Sequence, residues 1–207
     1  MTKRLKFPLF QTPLDLAHDH WKVLLKPGDC VVDATSGNGH DTLFLANIVL
    51  NPQTADNPGT VVAIDNQQLA LNNSQKLLKD HLSDFQMEHV FFYNQCHSSF
   101  PSILQKESVT LFVYNLGYLP GGNKNLTTAA PTTLQSLKSA VSLIAPGGAI
   151  SITCYPGHEA GKPEEEIVLN FAVSLDPLTW SCCHHRWVNR RNAPSLFLIQ
   201  RGLESRL

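Results

Sequence analysis

Apolar and polar positions follow two rhythms along this chain. CVVDAT (30–35), TVVAID (60–65), HVFFYN (89–94), VTLFVYN (109–115) and AISITCY (149–155) are short runs rich in β-branched and aromatic residues, as buried strands are. Segments of helical spacing lie between them. These are TLFLANIVL (42–50), then QQLALNNSQKLLKDHL (67–82) with Leu69, Leu71, Leu77, Leu78 and Leu82 apolar, then 131–144 with Leu134, Leu137, Val141 and Leu143. Pro131 falls in the first turn of that last helix, and APGG (145–148) ends it. A further helix starts at Pro163 and continues through Glu164, Glu165 and Glu166, because proline and acids both suit a first turn. Two strand-like stretches, around 178–188 and 195–201, close the chain without a clear helix between them.

Five strand runs separated by helices or long connections predict an α/β fold. The sheet is expected to be doubly wound and mostly parallel, covered on both faces, with seven strands and an antiparallel hairpin at one edge. No repeat and no linker divides the chain, so residues 1–207 are expected to form one domain. In such sheets ligands sit beyond the carboxyl ends of the strands, so the residues just after each run are the ones to question.

Composition narrows the class. Of 207 residues, 43% are hydrophobic and 16% charged, enough to build a core and too little charge for a disordered chain. No apolar run approaches the ~20 residues of a membrane span. The start, MTKRLKFPLFQTPLDL, lacks the apolar stretch of a signal peptide, which predicts a cytoplasmic protein. Five cysteines (Cys30, Cys96, Cys154, Cys182, Cys183) are odd in number and irregularly spaced, so reduced thiols are expected. Cys182-Cys183-His184-His185 holds metal-ligand residue types, but neighbours on a strand point to opposite faces and structural zinc prefers a CxxC-like spacing. No metal is expected. Net charge is −1, yet both ends are basic: Lys3, Arg4 and Lys6 near one, and Arg186, Arg190, Arg191, Arg201 and Arg206 against Glu204 near the other.

The strand ends carry the candidate chemistry. Asp33-Ala34-Thr35-Ser36-Gly37-Asn38-Gly39-His40-Asp41 places a GxG turn after the first run, where backbone can approach a ligand closely. A dinucleotide fingerprint would need a third glycine where Thr42 stands. Asp65 ends the second run, placed either to accept two ribose hydroxyls or to cap the next helix. Asn94-Gln95-Cys96-His97-Ser98 follows the third run, either as turn chemistry or as groups addressing a base edge. Asn115-Leu116-Gly117-Tyr118-Leu119-Pro120-Gly121-Gly122-Asn123-Lys124 follows the fourth and combines an amide, an aromatic ring and a glycine pair.

DATSGNGHDT (33–42), NLGYLPGGNK (115–124) and YPGHEAG (155–161), with Ala17-His18, Pro27-Gly28-Asp29 and Asn192-Ala193-Pro194, resemble the class I S-adenosylmethionine-dependent methyltransferases. More narrowly, the chain is similar over nearly its whole length to the small "putative rRNA methylase" family that includes MnmM-type (YtqB-like) tRNA methyltransferases. The resemblance implies S-adenosylmethionine as cofactor, cradled by Asp33, Thr35, Gly37, Asn38, Gly39 and Asp41. Asp33 or Asp41 would hold its ammonium, Asp65 its ribose hydroxyls with Gln67 close by, and Cys96 and His97 would lie near adenine. Asn115 would open a loop analogous to the (D/N)PPY motif and act with Tyr118 in catalysis, the tyrosine stacking on the target base. Pro120, Gly121, Lys124, Tyr155, His158 and Arg191 would complete the substrate side.

The implied reaction is N-methylation of 5-aminomethyl-2-thiouridine at the wobble position, on the anticodon stem-loop of a tRNA, by a monomer or homodimer. Methylation of another RNA base, in rRNA, is the alternative. The chain departs from the family pattern at Ser36, at Ala193-Pro194 and in the longer polar loop 51–59, and Leu116-Gly117 stand where the (D/N)PPY motif of amino methyltransferases has two prolines. An NAD-type oxidoreductase fits the sheet but lacks its third glycine, and a non-catalytic RNA-binding module would have little use for the intact turn.

Overall fold

The computed structural model describes residues 9–51, 58–119, 121, 127–157 and 160–203. Its elements run α1 (Pro13–Leu24), β1 (Cys30–Asp33), α2 (His40–Val49), β2 (Thr60–Asp65), α3 (Gln68–Lys79), α4 (Asp84–Met87) and β3 (Val90–Asn94). They continue with β4 (Val109–Leu116), α5 (Ala130–Leu143), β5 (Ile144–Cys154), α6 (Gly161–Ser174), β6 (Trp180–His185) and β7 (Ser195–Arg201). The seven strands lie in the order β3-β2-β1-β4-β5-β7-β6. All pairings among the first five are parallel, and β7 runs antiparallel to both β5 and β6. The expected mixed sheet is therefore present, with the closing hairpin at its edge.

Strand alternation divides the core into two layers. Val32, Val62, Phe112, Ile150 and Phe197 face the layer filled by Leu137 of α5 and by Val168 and Phe171 of α6. Val31, Val61, Leu111 and Val113 face the other layer, under Trp21 of α1 and Leu45 and Val49 of α2. Strand order reverses between β1 and β4, so their carboxyl ends diverge into a crevice.

Two helices go beyond the pattern read from the sequence. Helix α1 is capped by Thr12, whose hydroxyl accepts from Asp15 N–H at 3.1 Å, with proline in the first turn. Helix α4 is one turn, closed by a capping box between Ser83 and Gln86. Strand β5 also begins earlier than expected, at Ile144 rather than 149. Register jumps from Val109↔Ile144 to Leu111↔Ala149, so 145–148 form a bulge instead of a helix end. A Cβ on Gly148 would come within 2.8 Å of the Thr110 carbonyl oxygen, which explains the small residue there. Helix α6 starts at Gly161, two residues before the expected proline. No helix among the described residues is long and apolar enough to cross a membrane.

Candidate active site

The turn after β1 is built on two glycines in the left-handed region, Gly37 at φ +53° and Gly39 at φ +86°. A Cβ on Gly39 would fall 2.5–2.9 Å from Ser74 atoms, including its Cα, so only glycine lets α2 start this close to α3. Gly37 N–H donates to Asp65 Oδ2 and Gln67 N–H to Asp65 Oδ1, each at 2.9 Å. One carboxylate thus ties the end of β2 to both the glycine turn and the start of α3. Burial raises the Asp65 carboxyl above its ordinary range, opposed by these backbone donors.

Two cavities open over the crevice. The smaller, about 240 Å³, is lined by Asp65, Gln67, Cys96, His97 and the turn at 127–129. The larger, about 700 Å³, is lined by Asn38, Asp41, Gly121, Tyr155, Asn192 and Pro194 among others. Thr35, Gly37, Asn115, Gly117 and Tyr118 border both, and so form the shared wall. Tyr118 is 39% exposed there, bridged to Thr127.

Asn115 stands on that wall in a fixed orientation. Its backbone N–H donates to Thr35 Oγ1 at 2.7 Å, and its side-chain Nδ2 donates to Asp41 Oδ2 at 2.7 Å. Asp41 Oδ1 in turn meets His18 Nε2 at 2.8 Å. His18 is stacked on Phe44 with ring centroids 4.0 Å apart, beside Trp21. With the amide nitrogen committed to Asp41, the amide oxygen is the branch left to accept from a ligand. His18 entered the sequence reading only among the residues that carry the family resemblance and was given no role in the site, because no helix was expected where α1 lies. The Thr12-Pro13-x-Asp15 start of that helix is the signal that could have found it.

The remaining predicted residues divide. Asp33 is fully buried and lines neither cavity. It accepts from Thr42 Oγ1 at 2.6 Å and from Thr35 N–H at 3.3 Å. Burial, and then the Asp41 charge, push its carboxyl up to about 7. Of the two aspartates expected at the cofactor's ammonium, Asp33 therefore sits beneath the turn and Asp41 faces the larger cavity. His97 is 7% exposed, with Nε2 3.4 Å from Thr133 Oγ1. Burial drags it down to about 4, so it is a neutral ring at pH 7. Behind it, the buried Glu164 accepts from Thr133 at 2.5 Å and from Thr128 at 2.7 Å. Asn38 accepts from Asn73 at 3.0 Å. Burial raises the Tyr155 phenol above its ordinary range, with Asp41 contributing. Arg191 is exposed and borders neither cavity, although Asn192 beside it does. Pro120, Lys124 and His158 lie outside the described residues. Among the described residues no three His, Cys, Asp or Glu side chains are grouped to hold a metal ion.

Residues 61–201 match the protein family described as "Putative rRNA methylase". The chain is 39% identical over 189 residues to the "tRNA (mnm(5)s(2)U34)-methyltransferase, chloroplastic" of Arabidopsis thaliana, covering 90% of this chain and 69% of that one. Among solved structures it resembles a "putative rRNA-methylase" from Clostridium thermocellum, at 33% identity and TM-score 0.84, covering 93% of this chain and 98% of the other. It also resembles a "putative methyltransferase" from Streptococcus mutans in complex with S-adenosylhomocysteine (SAH), at 26% identity and TM-score 0.78, covering 93% and 99%.

Proposed function

The chain belongs to the "Putative rRNA methylase" family, and we propose that this S-adenosylmethionine-dependent methyltransferase acts on tRNA, methylating the primary amine of 5-aminomethyl-2-thiouridine at the wobble position. On this reading residues 1–207 are one cytoplasmic catalytic domain. The observation that carries it is the Asn115 amide, pinned by Asp41 on the wall shared by two cavities. A transfer between two ligands needs such a meeting point.

The smaller cavity suits the nucleoside end of the cofactor. Each Asp65 oxygen takes one backbone N–H and keeps a lone pair for a ribose hydroxyl. Neutral His97, with Gln67 and Cys96, offers an uncharged surface to a purine. Asp41, which lines the larger cavity, would hold the methionine ammonium. When bound, S-adenosylmethionine supplies a methyl group on a positively charged sulfur.

The larger cavity then receives the target nucleoside, with Tyr118 and Tyr155 as stacking surfaces. Only an unprotonated amine has a lone pair, and a neighbouring positive charge favours that form. Asn115 Oδ1 accepts one amine N–H and so aims the nitrogen lone pair across the shared wall. Asp41 also orients Asn115, and His18, acting only through Asp41, is a positioning residue. Holding two reactants in line contributes several kcal/mol without a general base. The nitrogen, once methylated, sheds a proton to water through the open side of the larger cavity.

Three features support this reading: the family, the 39% identity to a tRNA methyltransferase, and the chambered site. Mass spectrometry of tRNA nucleosides from a strain deleted for the gene tests it. Accumulation of the primary-amine nucleoside, reversed by the purified protein with S-adenosylmethionine, is expected. Unchanged tRNA with a missing methyl group in rRNA would move the substrate to the alternative.

A further inference from the structure

A second large concavity lies outside the catalytic crevice. It measures about 720 Å³ and is walled by Phe10 and Leu16 on one side and by Arg186, Trp187 and Arg190 of the β6–β7 connection on the other. Phe10 meets Trp187 edge to face, with centroids 5.5 Å apart and planes at 75°. The Arg190 guanidinium lies 4.3 Å above the Trp187 ring. Phe10 is 62% exposed at the rim of this groove. Among the described residues no carboxylate lines this groove, although the chain as a whole carries a net charge of −1.

The groove and the larger catalytic cavity share no lining residue, but neighbouring residues of two chain segments border one and the other. Pro13 and Leu16 line the groove while Leu14 lines the larger catalytic cavity, and Arg190 lines the groove while Asn192 lines that cavity. A polymer entering the cavity at one residue would pass its neighbours over Phe10 and Trp187. Aromatic rings interleaved with arginines and free of acids match single-stranded RNA: bases stack on the rings, and guanidinium groups take phosphates. An acidic peptide or a second copy would match the charge, but the pairing of guanidinium groups with exposed ring surfaces favours nucleotides, which carry phosphates and stackable bases together.

We propose that this groove seats the nucleotides flanking the target base in a single-stranded RNA loop, with bases stacked on Phe10 and Trp187 and phosphates held by Arg186 and Arg190. The inference rests on the RNA reading above and adds where the RNA lies. It also accounts for the exposed Arg186 and Arg190, which the catalytic cavities leave unused.

The test titrates a fluorescein-labelled anticodon stem-loop into the full chain saturated with SAH, read by anisotropy. Phe10→Ala and Trp187→Ala are each expected to raise the stem-loop Kd about tenfold, within the range of one lost base–aromatic stack. Trp187→Phe should restore most of the affinity. The Kd for SAH and the thermal melt should stay at wild-type values, separating lost contact from lost fold. Arg186→Gln should reduce the slope of log K against log salt by about 0.7, one phosphate contact on a single strand. Unchanged stem-loop affinity in both alanine variants overturns the proposal. A dimer that Phe10→Ala dissociates, with stem-loop affinity intact, also overturns it and assigns the groove to a second copy. Should the wild type bind the stem-loop through these rings yet methylate no RNA, the proposed reaction falls and the groove stands.

Discussion

Two buried groups at the crevice pull stability in opposite directions over the same pH window, and removing either one should unmask the other. Asp33 is fully buried and held up to about 7 against an ordinary 3.8. A carboxyl raised on folding takes up a proton between those values, so its contribution to stability falls as pH rises from about 4 to about 7. His97 is dragged to about 4 from an ordinary 6.5. An imidazole lowered on folding releases its proton, so its contribution is present above 6.5 and is lost as pH falls toward 4. Each tenfold change in proton affinity is worth about 1.36 kcal/mol, which makes the first effect roughly 4 kcal/mol and the second roughly 3 kcal/mol. Over pH 4.5–6.5 they nearly cancel, with Asp65 leaning the same way as Asp33 and His184 the same way as His97. Urea unfolding of the wild type should therefore give a nearly flat stability profile across that window. Asp33→Asn keeps an acceptor for Thr42 and should turn the profile upward with pH by about 2–3 kcal/mol. His97→Gln should turn it downward by a similar amount. An Asp33→Asn profile parallel to the wild type would show an ordinary carboxylate at Asp33 and refute the reasoning.

Asp65→Ala removes the acceptor of two backbone N–H groups and the proposed ribose contact, and calorimetry should show SAH binding weakened by ~1–3 kcal/mol. Unchanged affinity would take the ribose away from Asp65. Gly37→Ala meets only open contacts at 3.5 Å and beyond, so its positive φ alone should cost ~1–2 kcal/mol in urea unfolding. Gly39→Ala adds a collision with the Ser74 backbone and should cost roughly 3 kcal/mol or more; equal losses would mean the close approach of α2 to α3 does not matter. Asn115→Ala should lower kcat about a hundredfold, the usual scale for misplacing a reactant by about 1 Å, with the Kd for SAH within twofold. His18→Ala, acting two bonds further back, should lower kcat less and leave KM for RNA unmoved. A His18→Ala enzyme with wild-type kcat would detach α1 from the catalytic site.

The sheet was legible because each strand announces itself locally. Val61-Val62-Ala63-Ile64 is buried on both faces and bounded by polar residues, so β2 falls on the residues where its pattern stops. The same logic fails at β5. Ile144 pairs with Val109 of β4 and the next pair is Leu111↔Ala149, and the bulge between them is a relation between two strands rather than a property of 145–148. The candidate site shows the same division. Asp65, Gly37 and Asn115 could be named because each stands at a strand end, where any doubly wound sheet presents its ligands. Asp33 also stands at a strand end, yet Thr42 draws it under the turn, since a threonine two residues into α2 offers a hydroxyl on the inner face. The role of His18, a residue named only for the resemblance, was hidden for the complementary reason. Its partner Asp41 is 23 residues away in sequence and Asn115, held by that carboxylate, is 97 away, so the three meet only when His18 of α1 stacks on Phe44 of α2. A strand end predicts where a side chain starts; which neighbour orients it is settled by packing from elements the local pattern does not connect. That is why the positioning chain through His18 and the groove at Phe10, each with one member from the segment before β1 and the rest from distant elements, could not be read from the strand ends alone.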